Sequence, residues 1–246
     1  MDGLSSNSVT ASNPDAAIHP TAVVAELHRR WGPGQPLWVF GYASLIWRPE
    51  FPAAEQRSAV VHGWHRALRM RSRINRGTPE RPGLVFALLP GGACRGEVHR
   101  LPAASAEAEL LRLWQREMPT GVYTPRWLPC RTAQGVVPAL AFTLRRSSEA
   151  LLGRLPDAEL LDILRHARGR YGSTLEYLTL TAQALRQRGI VDREIERLMA
   201  LAASAGLAPA GWRQTTPAAA RAAARSASVS TSSSTPGSSR STGTAG

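Results

Sequence analysis

The apolar positions of this chain follow two rhythms. Over residues 37–101 and 122–144 they come in short runs and alternations, in "LWVFGY", "AVVHGWHRALRM", "GLVFALL", "RGEVHRL", "GVYTPRWLPCR" and "VPALAFTL". Gly, Gly-Gly or Pro separates several of these, which predicts short strands joined by turns. In "SAEAELLRLWQREM" (105–118), Leu110, Leu113 and Trp114 recur at helical spacing, with Ser105 placed to cap. Beyond 157 the same period appears three times, in "DAELLDILRHARG", "STLEYLTLTAQALRQRG" and "DREIERLMALAAS". Asp157, Ser173 and Asp192 are candidate caps, and Gly169 and Gly189 candidate stops. Strands first, one inserted helix and helices last predict an α+β fold, a small sheet or barrel packed by helices.

The patterning fades at both ends. Residues 1–20 are small and polar, and residues 213–246 are a low-complexity Ala/Ser/Thr run with four Arg and no acid. Neither buries enough apolar surface to offset chain entropy, so both are expected to be disordered around a folded domain at 21–212. The N-terminus lacks the basic start and apolar core of a secretory signal. No run reaches the roughly 18 apolar residues of a membrane span, so the expected setting is cytoplasmic.

Charge and cysteine content narrow the chemistry. The chain carries 30 basic and 18 acidic side chains, net +12, and every basic one is Arg. This produces a positive field suited to anionic small molecules or, non-specifically, to nucleic acid. The Arg residues are dispersed and no nucleic-acid motif is evident. Cys94 and Cys130 have no metal-ligand spacing, so no metal site is expected. His62 and His65 are three apart on a strand and point to opposite faces. Cys94 reads as a small core residue.

Two places invite chemistry. "LWVFGYASLIWRPEF" (37–51) interrupts the chain's most apolar segment with Tyr42-Ala43-Ser44. That is either a bend between core strands or a loop whose N–H groups face a ligand. Ser44 does not sit in a GxSxG nucleophile elbow and reads as a turn or hydrogen-bonding residue. Glu117 closes the 105–118 helix, because Pro119 biases Met118 away from helical geometry. There the helix dipole and Trp114 favour the protonated form, as suits a general acid or base. Taken alone, a solvated Glu at a frayed helix end is the better reading. Arg76 and Arg81 lie in a Gly/Pro loop that either meets a carboxylate or crosses the surface.

Five fragments occur in the order seen in the ChaC family: "LWVFGYASLIW", "GWHRALR", "RGTPERPGLVFALLPGGACRGEVHRL", "ELLRLWQREMPTGVYTPRWLPC" and "EYLTLTAQALRQRGIVDREIERL". The chain resembles that family, the glutathione-specific γ-glutamylcyclotransferases, over roughly residues 36–200, most closely its bacterial members. The resemblance implies a small mixed or antiparallel β-barrel of the γ-glutamylcyclotransferase type, packed by helices. It implies a substrate loop at Tyr42, Ala43, Ser44 and Leu45, a catalytic carboxylate at Glu117, and Tyr123 as a pocket wall, with Tyr177 either another wall or core. The implied reaction converts glutathione to 5-oxoproline and Cys-Gly with no cofactor, metal or specific nucleic-acid partner. A cyclotransferase acting on another γ-glutamyl amine, a non-catalytic basic nucleic-acid-binding protein, and a catalytically silent scaffold are the alternatives. Ala43 stands where the family commonly has Gly, and a Cβ there disfavours positive φ. Thr174, before "EYL", is a second departure expected at the pocket edge.

Overall fold

The computed structural model describes residues 31–32, 34–117, 121–208 and 212. The expected tails at 1–20 and 213–246 lie outside the described residues, as do Met118 and Pro119. In chain order the elements are β1 (Leu37–Gly41), α1 (Ser44–Trp47), β2 (Glu55–Ser72), β3 (Gly83–Leu101), α2 (Ala106–Glu117), β4 (Tyr123–Thr132) and β5 (Gly135–Leu144). There follow α3 (Asp157–His166), the two-residue strands β6 (Arg168–Gly169) and β7 (Gly172–Ser173), α4 (Thr174–Gln187) and α5 (Arg193–Ser204). The five long strands close into a barrel in the order β1-β3-β2-β4-β5, so the α+β barrel is the observed architecture. β1 runs antiparallel to β3, from Leu37 opposite Leu101 to Gly41 opposite Glu97, and meets β5 in parallel at Val39 and Leu140.

The uninterrupted apolar run of β1 has a direct cause. Leu37 and Val39 pack with Leu110, Leu113 and Trp114 of α2, whereas Phe40 packs with the barrel residues and α3–α5. β5 divides the same way, with Leu140 and Phe142 toward α2 and Ala139 and Ala141 toward the other cluster. A strand covered on both faces has no reason to alternate polar with apolar. The site loop therefore leaves β1 from the seam between two cores.

Three expectations need correction. Residues 83–89 and 95–101 are not two strands but parts of one 19-residue strand, β3. Gly91 (φ 109) and Gly92 (φ 73) carry the ladder past Gly63 (φ 81) on β2, where the register shifts between His62 and Trp64. Glycines with positive φ here make a bulge rather than a break. Asp157 is the first residue of α3, not its cap; Pro156 holds that position and makes no side-chain capping bond. Gly169 does not end that helix, which stops at His166, and instead belongs to β6. By contrast, Ser173 forms a capping box with Glu176, and Asp192 Oδ1 accepts from the Glu194 and Ile195 N–H groups at 3.1 Å each. Gly189 (φ 65) follows the last residues of α4.

The loop 73–82 is locked against β6–β7. Arg170 and Tyr171 donate main-chain bonds of 2.9 Å to the Ile74 and Asn75 carbonyls. A Cβ on Gly83 would lie 2.0 Å from the Arg76 carbonyl oxygen and 2.5 Å from Thr174 Oγ1. The two segments touch backbone to backbone, and Thr174 is part of the joint: its hydroxyl accepts from Leu84 N–H (3.0 Å) and donates to the Arg76 carbonyl (3.3 Å). Thr174 is thus an anchor behind the wall and not a pocket edge. Gly83→Ala is expected to destabilise the fold by about 1–3 kcal/mol through overpacking. A lower denaturant midpoint at unchanged slope is the check.

Candidate active site

The turn after β1 and the end of α2 come together. A recess of about 20 Å³ is lined by Tyr42, Ala43, Ser44, Leu45, Phe86, Glu117, Tyr123, Phe142 and Tyr177. It adjoins a larger cavity of about 430 Å³ that shares Ser44, Glu117, Tyr123 and Tyr177 with it. Every residue the resemblance singled out lines the recess, and Tyr177 joins them. Tyr177 is both wall and core: it is buried, its ring lies 5.7 Å from Phe86 and 6.2 Å edge-on from Trp47, and its hydroxyl accepts from Phe86 N–H at 3.4 Å.

The "polar turn" begins the one-turn helix α1, with Ser44 as its first residue and Ala43 preceding it. The first N–H groups of a helix have no partner within it, and those of Ala43, Ser44 and Leu45 bond to no other described residue. Ala43 has φ −144°. Its ψ of −114° takes it out of the extended region, but with φ negative the Cβ that replaces the family's Gly meets no left-handed strain. Among the described residues the one non-glycine at positive φ is Glu50 (φ 59). It sits on the cavity wall, where strained backbone commonly gathers.

Arg116 connects these parts. Its Nη1 donates to the Arg48 carbonyl (2.6 Å), the Pro49 carbonyl (3.3 Å) and Glu50 Oε2 (3.0 Å), and its Nη2 to Ser44 Oγ (3.2 Å). Its Nε lies 3.2 Å from Glu117 Oε1. Arg48 also pairs with Glu50. One planar guanidinium thus ties the candidate acid to the loop that faces it, using the several donors that arginine alone offers.

The Glu117 side chain is 15 % exposed. Burial pushes its pKa up, the neighbouring Arg116 pulls it down, the Glu50 charge raises it again, and the net direction is upward. The cause is chiefly loss of water; Trp114, which the sequence offered as a source of it, packs on Phe142 in the α2 core. Tyr42 and Tyr123 are likewise pushed well above the usual phenol range, first by burial. Both stay protonated, and Tyr42 donates to the Phe142 carbonyl at 3.0 Å. Neutral phenols thus surround the one carboxyl of the recess.

The larger cavity is cationic. Arg76 is buried, donates to the Tyr171 carbonyl and stacks 5.1 Å from the Tyr177 ring. Arg71 lines the same cavity half-buried and makes no ion pair or side-chain hydrogen bond among the described residues. Arg81 lies on the exposed turn and lines neither space. Ser44 touches Arg116 but no histidine, so nothing activates it as a nucleophile. Cys94 and Cys130 are buried with thiols pushed upward by burial, and no metal-ligating cluster occurs among the described residues. No helix among the described residues is long and apolar enough to cross a membrane.

Sequence reasoning missed Arg116, Trp47 and Arg71. Arg116 stood beside the candidate acid, but adjacent helix positions point about 100° apart, so only the path of residues 44–50 reveals what it holds.

The barrel shares its fold with a γ-glutamyl cyclotransferase specific to glutathione from yeast, with a TM-score of 0.62 at 23% identity over 70% of this chain and 97% of that one. Its sequence places it more closely. The profile of ChaC-like proteins matches residues 37–205, and the chain belongs to that family. A glutathione-specific gamma-glutamylcyclotransferase of Escherichia coli (strain K12) is 34% identical over 165 residues, 67% of this chain and 71% of that protein. The Mus musculus glutathione-specific gamma-glutamylcyclotransferase 1 is 28% identical over 193 residues, 76% of this chain and 86% of its own.

A carboxyl whose folded pKa exceeds its unfolded one holds its proton more tightly in the folded state, so stability is lost as pH rises through the window between the two. Glu117→Gln is therefore expected to stabilise the protein at neutral pH. The gain should vanish as pH falls below the unfolded glutamate value of about 4.3. Denaturant midpoints at pH 4 and pH 7 measure the difference.

Proposed function

We propose that this protein is a glutathione-specific γ-glutamylcyclotransferase, releasing 5-oxoproline and Cys-Gly, with Glu117 as proton shuttle. The observation that carries the reading is the recess lined jointly by residues 43–45, whose N–H groups bond to no other described residue, and by the Glu117 carboxyl. Family membership supplies the reaction class.

A γ-glutamyl amide contains its own nucleophile. Its α-amine attacks the γ-carbonyl carbon, a five-membered lactam C–N bond forms, and the C–N bond to the cysteinyl nitrogen breaks. Two protons leave the attacking ammonium and two arrive on the departing amine, so the balance needs no oxidant, metal or nucleotide. The protein has to fold the substrate into the attacking conformer, move protons and hold the oxyanion. An α-ammonium has a pKa of about 7.7–8.0, and a carboxylate raised toward that range accepts its proton more readily than an ordinary Glu. Glu117 takes the two protons in turn from the attacking nitrogen and passes each to the leaving nitrogen. The N–H groups of Ala43, Ser44 and Leu45 face the developing oxyanion or the α-carboxylate. Tyr42, Tyr123 and Tyr177 wall off water. Arg71, a cation with no carboxylate of its own, suits a substrate with two carboxylates in the larger cavity.

Purified protein given glutathione should release 5-oxoproline and Cys-Gly. Glu117→Gln should lower turnover by about 10²–10⁴-fold with an unchanged circular dichroism spectrum. Near-wild-type release by that variant rejects Glu117 as the shuttle. Faster turnover of another γ-glutamyl amine than of glutathione rejects the substrate.

A further inference from the structure

A buried guanidinium on β2 grips the turn from behind. The side chain of Arg66 is 0% exposed. Its Nε donates to the Tyr42 carbonyl and its Nη2 to the Arg95 carbonyl, with Cys94 Sγ at 3.6 Å. Its Nη1 donates to Asp192 Oδ2 at 2.8 Å. The other oxygen of Asp192 caps α5. Each of the three nitrogens has a partner, and the charge is balanced by Asp192 rather than by anything in the recess.

The Tyr42 carbonyl and the Ala43 N–H belong to one peptide unit. That unit is planar and trans, and no cis peptide occurs among the described residues. Its C=O and N–H therefore point in opposite directions. Arg66 lines neither the recess nor the cavity, whereas Ala43 lines the recess. Drawing the carbonyl toward Arg66 turns the N–H toward the space shared with Glu117. A cation on the carbonyl also polarises the amide and strengthens its N–H as a donor. The Ala43 carbonyl is held separately by Ile46 N–H at 2.9 Å, so the unit is fixed on both sides.

We infer that Arg66 is a positioning residue for the cyclisation: by holding the Tyr42 carbonyl it aims the Ala43 N–H at the oxyanion of the γ-glutamyl group. The inference rests on the proposed function above and assigns the oxyanion, rather than the α-carboxylate, to that donor. Its signature is a fall in kcat with little change in KM, because a mis-aimed oxyanion donor weakens the transition state and not the bound substrate.

Arg66→Lys keeps the charge but cannot reach the Tyr42 carbonyl, the Arg95 carbonyl and Asp192 together. It should lower kcat for glutathione by about 10–10³-fold, leave KM within about threefold, and move the Ala43 amide ¹⁵N resonance, which reports on what its peptide carbonyl accepts. Leu198→Ala, a core truncation in α5 at a residue that lines neither the recess nor the cavity, supplies a comparator of lowered thermal stability. The inference is overturned if Arg66→Lys keeps wild-type kcat, if it raises KM alone, or if Leu198→Ala loses kcat as steeply. Should Arg66→Lys fail to fold, the wild-type protein decides. A through-hydrogen-bond scalar coupling between Arg66 Nε and the Tyr42 carbonyl carbon is required, and its absence sinks the proposal. Wild-type protein that makes no 5-oxoproline sinks the proposed function itself, whereas active wild type with a fully active Arg66→Lys sinks only the role of Arg66.

Discussion

Taking a carboxylate out of water costs several kcal/mol unless it is paired or protonated, and Glu117 stands at that boundary. One oxygen lies beside Arg116 while tyrosines fill much of the remaining space. Much of the neighbourhood follows from managing that cost. Arg116 bonds Ser44, Arg48, Pro49 and Glu50 with its remaining donors, so the group that moderates the acid also sets the path of the chain around it. The left-handed backbone at Glu50 is tolerated because its carboxylate is drawn toward Arg48 and Arg116.

The barrel turns this local balance into a site. Two strands, β1 and β5, are covered on both faces, and each feeds side chains into two separate cores. The turn that leaves β1 therefore emerges where the α2 core and the α3–α5 core meet. α2 brings Glu117 to it from one side, and α4 brings Tyr177 from the other. Because both cores hold this seam, small displacements of the turn are resisted from two directions, as catalytic geometry requires.

The large arginine excess has a different character in the structure than in the composition. Arg66, Arg100, Arg186, Arg188 and Arg197 pair with acids of other segments of the fold, and Arg57 pairs with Glu55 within β2. Others, Arg48, Arg76 and Arg116, are engaged around the cavity. Much of the positive charge thus serves as internal fastening, and part of it lines a space suited to a small anion. No continuous basic face is needed to account for it.

Several features were legible from residue order alone. The strands and helices, the caps at Ser173 and Asp192 and the α2 face of Leu110, Leu113 and Trp114 are local matters of period and hydrogen bonding, which neighbours along the chain decide. The pairing of the 42–45 turn with Glu117 was reached through family resemblance, since 72 positions separate Ser44 from Arg116. What only the tertiary structure decided are contacts between distant segments. The glycine bulge merging two expected strands into β3 depends on the partner strand. The upward pKa of Glu117 depends chiefly on burial, in a recess that Tyr42, Tyr123 and Tyr177 bring from distant parts of the chain. The grips of Arg116 and Arg66 depend on where backbone carbonyls of other segments fall. Chain-local preference selects elements, but desolvation and hydrogen-bond geometry are properties of the assembled interior, and the chemistry resides there.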